Sequence, residues 1–156
     1  LSPKENREIP PLNYEHVYRL KQDFPQLTVV INGGIRTLDE CKTHLQQVDG
    51  VMLGREAYEN PWLLAQVDAE LFDEPNPLTT RAEALRALKP YIERELATGT
   101  TLHAITRHLL GLYRGEAGGR GFRRVLSQQA FKPAANFSVV EAALLETAIL
   151  PLSEAA

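Results

Sequence analysis

The feature that most constrains this chain is a pair of short apolar runs on either side of a capped helix. Leu27 to Ile31, with Thr28-Val29-Val30-Ile31 at its heart, is too short and too uniformly apolar for an amphipathic helix, so it reads as a strand buried on both faces. Asn32-Gly33-Gly34 ends it. Thr37-Leu38-Asp39-Glu40 is a capping box, in which the threonine oxygen and the glutamate carboxylate each satisfy an orphan backbone N–H. The helix it opens runs through about Gln46, with Leu38, Cys41 and Leu45 on its inner face. Gly50-Val51-Met52-Leu53 is a second apolar strand, closed by Gly54-Arg55 as the glycine pair closes the first. Asn32-Gly33 would also suit a hairpin turn, but the helical pattern after it leaves no adjacent strand to pair. The segment is therefore β-α-β, with a right-handed crossover that makes the strands parallel. A parallel pair needs further strands and cover on both faces, so these two are not expected to be a whole sheet.

Around this unit the pattern is helical. Tyr14, Val17, Tyr18 and Leu20 are spaced for a helix that Pro25 stops, and Trp62 to Phe72 reads as another. Asp73-Glu74-Pro75-Asn76-Pro77 then looks like a linker. Beyond it there is no strand signal. Thr80-Arg81-Ala82-Glu83 is a second capping box, and Leu85, Leu88, Ile92 and Leu96 lie on one stripe that Pro90 is placed to kink. Leu102, Ile105, Leu109 and Leu112 form the next stripe. A glycine-rich break spans Gly111 to Gly121, Phe122, Val125 and Leu126 begin another helix, and Ser138-Val139-Val140-Glu141 caps a last one, with Leu144 to Pro151 closing the chain. The expected organisation is an α/β part over 1–72, a linker at 73–79 and a small helical bundle over 80–156.

Composition narrows the function classes. With 156 residues, 44% of them hydrophobic, the chain has a core to build and is no disordered tail. No run of about eighteen apolar residues is present, and no basic-then-apolar N-terminal stretch, so a soluble cytoplasmic protein is expected. The single cysteine, Cys41, excludes an internal disulfide and a cysteine-based metal site. A metal is not implied. Net charge −3 argues against nucleic-acid binding by the surface as a whole and leaves a local basic patch as the alternative. The chain starts at Leu1, and the proline-containing stretch to Leu12 has no apolar period, so it reads as a protein entered part-way.

Two constellations carry chemistry. The first is the pair of strand ends, Asn32-Gly33-Gly34 and Gly54-Arg55, at equivalent places on neighbouring parallel strands. Glycines there let backbone N–H groups approach an anion, and arginine adds charge and a fork of donors, which outlines a phosphate cradle. In (β/α)₈ barrels such a site is frequently built from the loops after strands seven and eight. Glycines also merely terminate strands, and the pair by itself names no ligand. The second constellation is basic: Arg107, Arg114, Arg120, Arg123, Arg124 and Lys132 stand against only Glu116. Arg120, Arg123 and Arg124 fall at helical spacings where they could meet phosphates, although a solvated helix face accounts for any single one of them equally well.

Leu1-Ser2-Pro3-Lys4-Glu5-Asn6-Arg7-Glu8-Ile9-Pro10-Pro11-Leu12, Ile31-Asn32-Gly33-Gly34-Ile35 and Gly50 through Tyr58 together resemble the A subfamily of the tRNA-dihydrouridine synthases. His108-Leu109-Leu110-Gly111-Leu112-Tyr113 and Arg120-Gly121-Phe122-Arg123-Arg124 resemble that subfamily's helical domain. The NGG and GR elements occur in other flavin barrels; the SPKENREIPPL stretch is far more specific. The resemblance implies the last two strands of a (β/α)₈ TIM barrel followed by a tRNA-binding helical domain. It places Asn32, Gly33, Gly34, Gly54 and Arg55 at the phosphate end of FMN, with NADPH as reductant and D-loop uridine of tRNA as substrate. It further implies that Arg120 and Arg123 contact RNA, with Lys4 and Arg7 gripping it from the barrel side. The family's catalytic cysteine, and its lysine and histidine near the flavin, lie upstream of Leu1, so no catalytic residue is assigned here and the chain alone is expected to be inactive, wanting its N-terminal barrel half.

Cys41, on an apolar stripe, reads as packing. His16, His44, His103 and His108 show no ligand spacing and read as structural or surface residues. Tyr58 and Trp62 are expected to close over the barrel edge rather than to stack on RNA. Two alternatives stay open: an FMN barrel oxidoreductase acting on a small metabolite, and a non-enzymatic RNA-binding module.

Overall fold

In the computed structural model, Ser2, Pro3, Glu5 and residues 11–148 are described. By contacts the chain divides into two compact units, Leu1–Glu56 and Ala57–Ala156. The second begins before the acidic, proline-rich stretch expected as the linker. Its early start has a packing cause: Trp62 lies against the helical core of the second unit, under the Arg81 guanidinium at 4.9 Å.

The first unit contains α1 (Tyr14–Asp23), β1 (Val30–Asn32), α2 (Leu38–Leu45) and β2 (Gly50–Met52). The strands pair in parallel, Val30 with Gly50, Ile31 with Val51 and Asn32 with Met52, as the β-α-β pattern requires. The capping box on α2 is complete: Thr37 accepts from the Glu40 N–H at 3.1 Å and Glu40 accepts from the Thr37 N–H at 3.0 Å. An analogous exchange links Ser2 and Glu5, whose N–H groups donate to each other's side chains.

Three expectations for this unit are corrected. β1 starts at Val30, because Leu27 closes a turn on Phe24, its carbonyl accepts from Lys21, and the Val29 N–H donates to the Asp49 carboxylate. Side chains alternate across a strand, and here only the Ile31 face is covered; Val30 and Met52 on the other face are 57% and 46% exposed. On α2 the inner face is Leu38, Cys41 and His44, while Leu45 is exposed. The imidazole can go inside because it is satisfied there: the Tyr18 hydroxyl lies 2.6 Å from Nδ1 of His44, and the Tyr14 ring packs edge-on at 4.5 Å. Lys21 and Asp49, 2.9 Å apart, tie α1 to the start of the sheet.

After the short α3 (Arg55–Glu59), the second unit continues with a 3₁₀ turn (Pro61–Gln66), α4 (Val67–Leu71), α5 (Arg81–Ala87), α6 (Lys89–Ala97), α7 (Leu102–Thr106), α8 (Gly119–Gln129) and α9 (Phe137–Ala148). The single helix expected over Trp62–Phe72 is thus two pieces, since Pro61 opens it with an i→i+3 bond from Leu63 to Asn60. Pro90 does more than kink its helix. It sits at the start of α6, and α5 ends at Ala87 with Leu88 as its cap. The cap of α9 is Asn136, whose side chain accepts from the Ser138 N–H; Ser138 itself already lies inside the helix. The expected stripes converge on one core in which Leu85, Ile92, Phe122 and Val140 are fully enclosed. The chain's end beyond Ala148, including Pro151, is outside the described residues.

Candidate functional site

In the first unit the in-register pairing of Asn32 with Met52 sends Gly33-Gly34 and Gly54 off the same end of the sheet. Gly33 and Gly34 have φ of 131° and 67°, where a side chain is strained, and a Cβ on either would meet the Leu12 side chain at 2.8 Å. The Tyr14 hydroxyl donates to the Gly33 carbonyl at 2.5 Å and fixes the turn. Arg55 follows Gly54 as the first residue of α3, exposed and with no ion-pair partner among the described residues. Glycine backbone at one strand end and a free guanidinium at the next are the donor set a phosphate takes. Cys41 is no part of it: the thiol is buried and burial pushes its pKa up, away from reactivity.

The second unit holds an open pocket of about 480 Å³ lined by Tyr58, Glu59, Arg107, His108, Arg114 and Arg123, with Leu110, Gly111 and Gly115 between them. Gly111 makes the pocket possible. A Cβ there would lie 2.4 Å from the Glu59 carbonyl oxygen, so only glycine lets the stretch after α7 run against the Tyr58-Glu59 backbone. The Tyr58 hydroxyl is 2.8 Å from Nδ1 of His108, and Arg107 Nε donates to Nε2 of the same ring at 3.0 Å. Arg114 meets Glu59 at 3.0 Å. Arg123 reaches the pocket from α8, half-buried and with no ion-pair partner among the described residues. Elsewhere in this unit the pattern differs, for Arg81, Arg86 and Arg124 each hold a glutamate, Glu116, Glu141 and Glu146. The result is local positive charge on a chain of net charge −3.

The sequence profile of the dihydrouridine synthase (Dus) family matches residues 2–149. This chain belongs to the Dus family. It is 60% identical over 144 residues to the tRNA-dihydrouridine(20/20a) synthase of Yersinia pestis, 54% to that of Vibrio cholerae serotype O1 and 58% to that of Escherichia coli strain K12. Each match covers 92% of this chain and 42%, 44% and 42% of the respective relative, so the Dus chain spans less than half their length. A two-stranded parallel sheet with a crossover helix, in an otherwise helical chain of this family, fits part of a (β/α)₈ barrel. Among the described residues no helix is long and apolar enough to cross a membrane.

The structure gathers Asn32, Gly33, Gly34, Gly54 and Arg55 at one end of a sheet, and sets Arg120 and Arg123 on α8, with Arg123 turned to the pocket and Arg120 exposed. Lys4 and Arg7 lie outside the described residues. Sequence reasoning missed the company that Arg123 keeps. Tyr58 was expected at a barrel edge and His108 was given only a structural or surface place, yet they are hydrogen-bonded across fifty positions of sequence. No local spacing signals such a pair. The one available signal was the sign reversal of charge from Arg107 onward.

Proposed function

We propose that this chain is the C-terminal portion of a flavin-dependent tRNA-dihydrouridine(20/20a) synthase, an enzyme that reduces D-loop uridine to 5,6-dihydrouridine. The observation that carries the reading is identity of 54–60% to proteins of that name across 92% of the chain. In this reading the first unit is the end of a TIM barrel, and the helical second unit is a tRNA-binding domain. Asn32, Gly33, Gly34, Gly54 and Arg55 would hold the phosphate of FMN. The fit rests on the positive φ of both glycines, the shared sheet end and the unpaired Arg55. FMN, when bound, supplies hydride to the uracil double bond and is restored by NADPH. This chain's own residues bind and orient; no side chain of it is assigned a proton or a bond to the reacting ring.

RNA has to be held by backbone contacts while a uridine leaves its stack, and that task suits arginines left without carboxylate partners. Arg120 and Arg123 fill it from α8, with Lys4 and Arg7 contributing from the segment that precedes α1 in sequence. A flavin barrel acting on a small metabolite would account for the strand ends and leave the arginine pocket unexplained, whereas a non-enzymatic RNA module would leave the strand-end donor set idle.

The test is tRNA binding by the chain across a salt series, wild type against an Arg120→Ala, Arg123→Ala double variant. Two lost phosphate contacts should flatten the slope of log affinity against log salt by roughly 1.4, at about 0.7 per contact on single strands. Equal slopes would remove these arginines from the interface, and absence of tRNA binding by folded chain would remove tRNA recognition from this portion of the protein.

A further inference from the structure

We infer that the pocket of the second unit seats a backbone phosphate of the RNA on Arg107 and Arg123, and that His108 and Tyr58 are positioning residues that aim Arg107 at it. This rests on the tRNA reading above and extends it to Arg107, His108 and Tyr58, which that reading does not use.

Arg107 is held in an unusual way. Its Nε–H donates to Nε2 of His108, and a guanidinium has no lone pair to offer, so Nε2 must be the accepting nitrogen. That leaves Nδ1 as the protonated nitrogen, which donates to the Tyr58 hydroxyl oxygen at 2.8 Å. The imidazole is thereby a neutral ring in one defined tautomer, oriented at both ends. An arginine anchored by a carboxylate is fixed and neutralised together, as Arg81, Arg86 and Arg124 are. Anchoring by a neutral acceptor fixes Arg107 through Nε alone, and its full charge and terminal N–H groups remain for an incoming anion.

The surroundings match such a ligand. Three guanidinium groups line the pocket against the single Glu59 carboxylate, which is engaged by Arg114 and leaves Arg107 and Arg123 uncompensated. Gly111 brings the Tyr58-Glu59 backbone into contact with the stretch that carries Arg107, so the His108 and Tyr58 rings meet edge to face at 5.8 Å. At about 480 Å³ and open to solvent, the pocket admits a phosphate still attached to its sugars, which suits a polymer backbone. A tyrosine ring 58% exposed at its edge adds a surface for an adjoining base or ribose.

The experiment measures tRNA binding by the chain and its variants, with thermal melting as the control for fold. Arg107→Ala should weaken tRNA binding about tenfold, as expected for one charge-assisted contact, and flatten the salt slope by about 0.7. His108→Leu should weaken it comparably although it removes no charge, and His108→Gln, whose amide oxygen can accept from Arg107, should restore most of the affinity. Tyr58→Phe should fall between. Inorganic phosphate should compete only at concentrations far above those of tRNA. If Arg107→Ala binds as wild type does while Arg123→Ala does not, the inference fails and the tRNA reading stands. If wild-type chain does not bind tRNA, the reading beneath it fails. Melting that drops with affinity unchanged in His108→Leu would make the relay structural, and phosphate competing at tRNA-like concentrations would make the pocket a small-anion site; either result overturns the proposal.

Discussion

Unit Leu1–Glu56 covers one face of a two-stranded sheet with Ile31, Leu38 and Cys41 and leaves Val30 and Met52 exposed on the other, whereas unit Ala57–Ala156 wraps its helices around a core of thirteen buried residues among those described. The first makes up for its thin core with polar ties between distant positions: Lys21 to Asp49, Tyr18 to His44 and Tyr14 to the Gly33 carbonyl. The second holds ion pairs of similar reach, Arg81 to Glu116, Arg86 to Glu141 and Arg124 to Glu146, but around a larger apolar core. The difference explains where each candidate site lies. In the first unit the strand-end donors sit on backbone held by side-chain hydrogen bonds; in the second, a closed apolar core frees arginines to be arranged for binding.

The comparison would be broken most forcefully at the larger core. Phe122, fully buried and 4.7 Å from the Tyr113 ring, should cost about 3–5 kcal/mol when changed to alanine. Hydrogen exchange should show the loss in α5 to α9 while α1, α2 and the strands keep their protection. Equal loss of protection in both units would mean that they unfold as one.

A smaller and opposite asymmetry is expected in acid. Hydrogen bonds from Lys21 and the Val29 N–H hold the Asp49 carboxyl below its ordinary 3.8, and the Arg36 and Thr37 N–H groups hold Glu40 below 4.5. The Thr79 and Thr80 N–H groups do the same for Glu83 in the second unit. Because these folded values lie below the unfolded ones, the stability they confer is complete above the unfolded range and is lost as pH falls through the folded values. The first unit carries more ties of this kind on a smaller core, so residue-resolved acid unfolding should take it before the second. Asp49→Asn should narrow the gap; an unchanged order and spacing would show that the Lys21 tie is irrelevant to it.

The smallest effect is expected at the open face of the sheet. Val30→Thr should change the stability of this chain by no more than about 0.5 kcal/mol, because the side chain is largely in water already. A cost several times larger in chemical denaturation would mean that this face is covered in solution.

Much of the fold was legible. The two capping boxes, at Thr37 and Thr80, open helices where their spacing says they should, and the β-α-β pattern forms the parallel pair with glycines leaving one end. These signals are local: a cap is satisfied within four residues, and a strand end is marked by the residues just beyond it. The readings that failed depended on partners. Val30 and Leu45 were read as covered from their apolarity alone, yet both are exposed, while His44 is buried because two tyrosines from α1 receive it. Arg107 to Lys132 announced a basic region, and only the folded chain separated arginines neutralised by glutamate from those left free.

The sequence by itself determined the family, the parallel strand pair and the helical character of the chain beyond the strands, and it named the candidate residues for holding phosphate, since each is encoded in short-range pattern and residue type. Tertiary structure alone decided which face of the sheet is covered, which arginines meet a carboxylate, and that Tyr58, His108 and Arg107 form one line of hydrogen bonds, because those outcomes depend on side chains brought together from positions far apart in the chain.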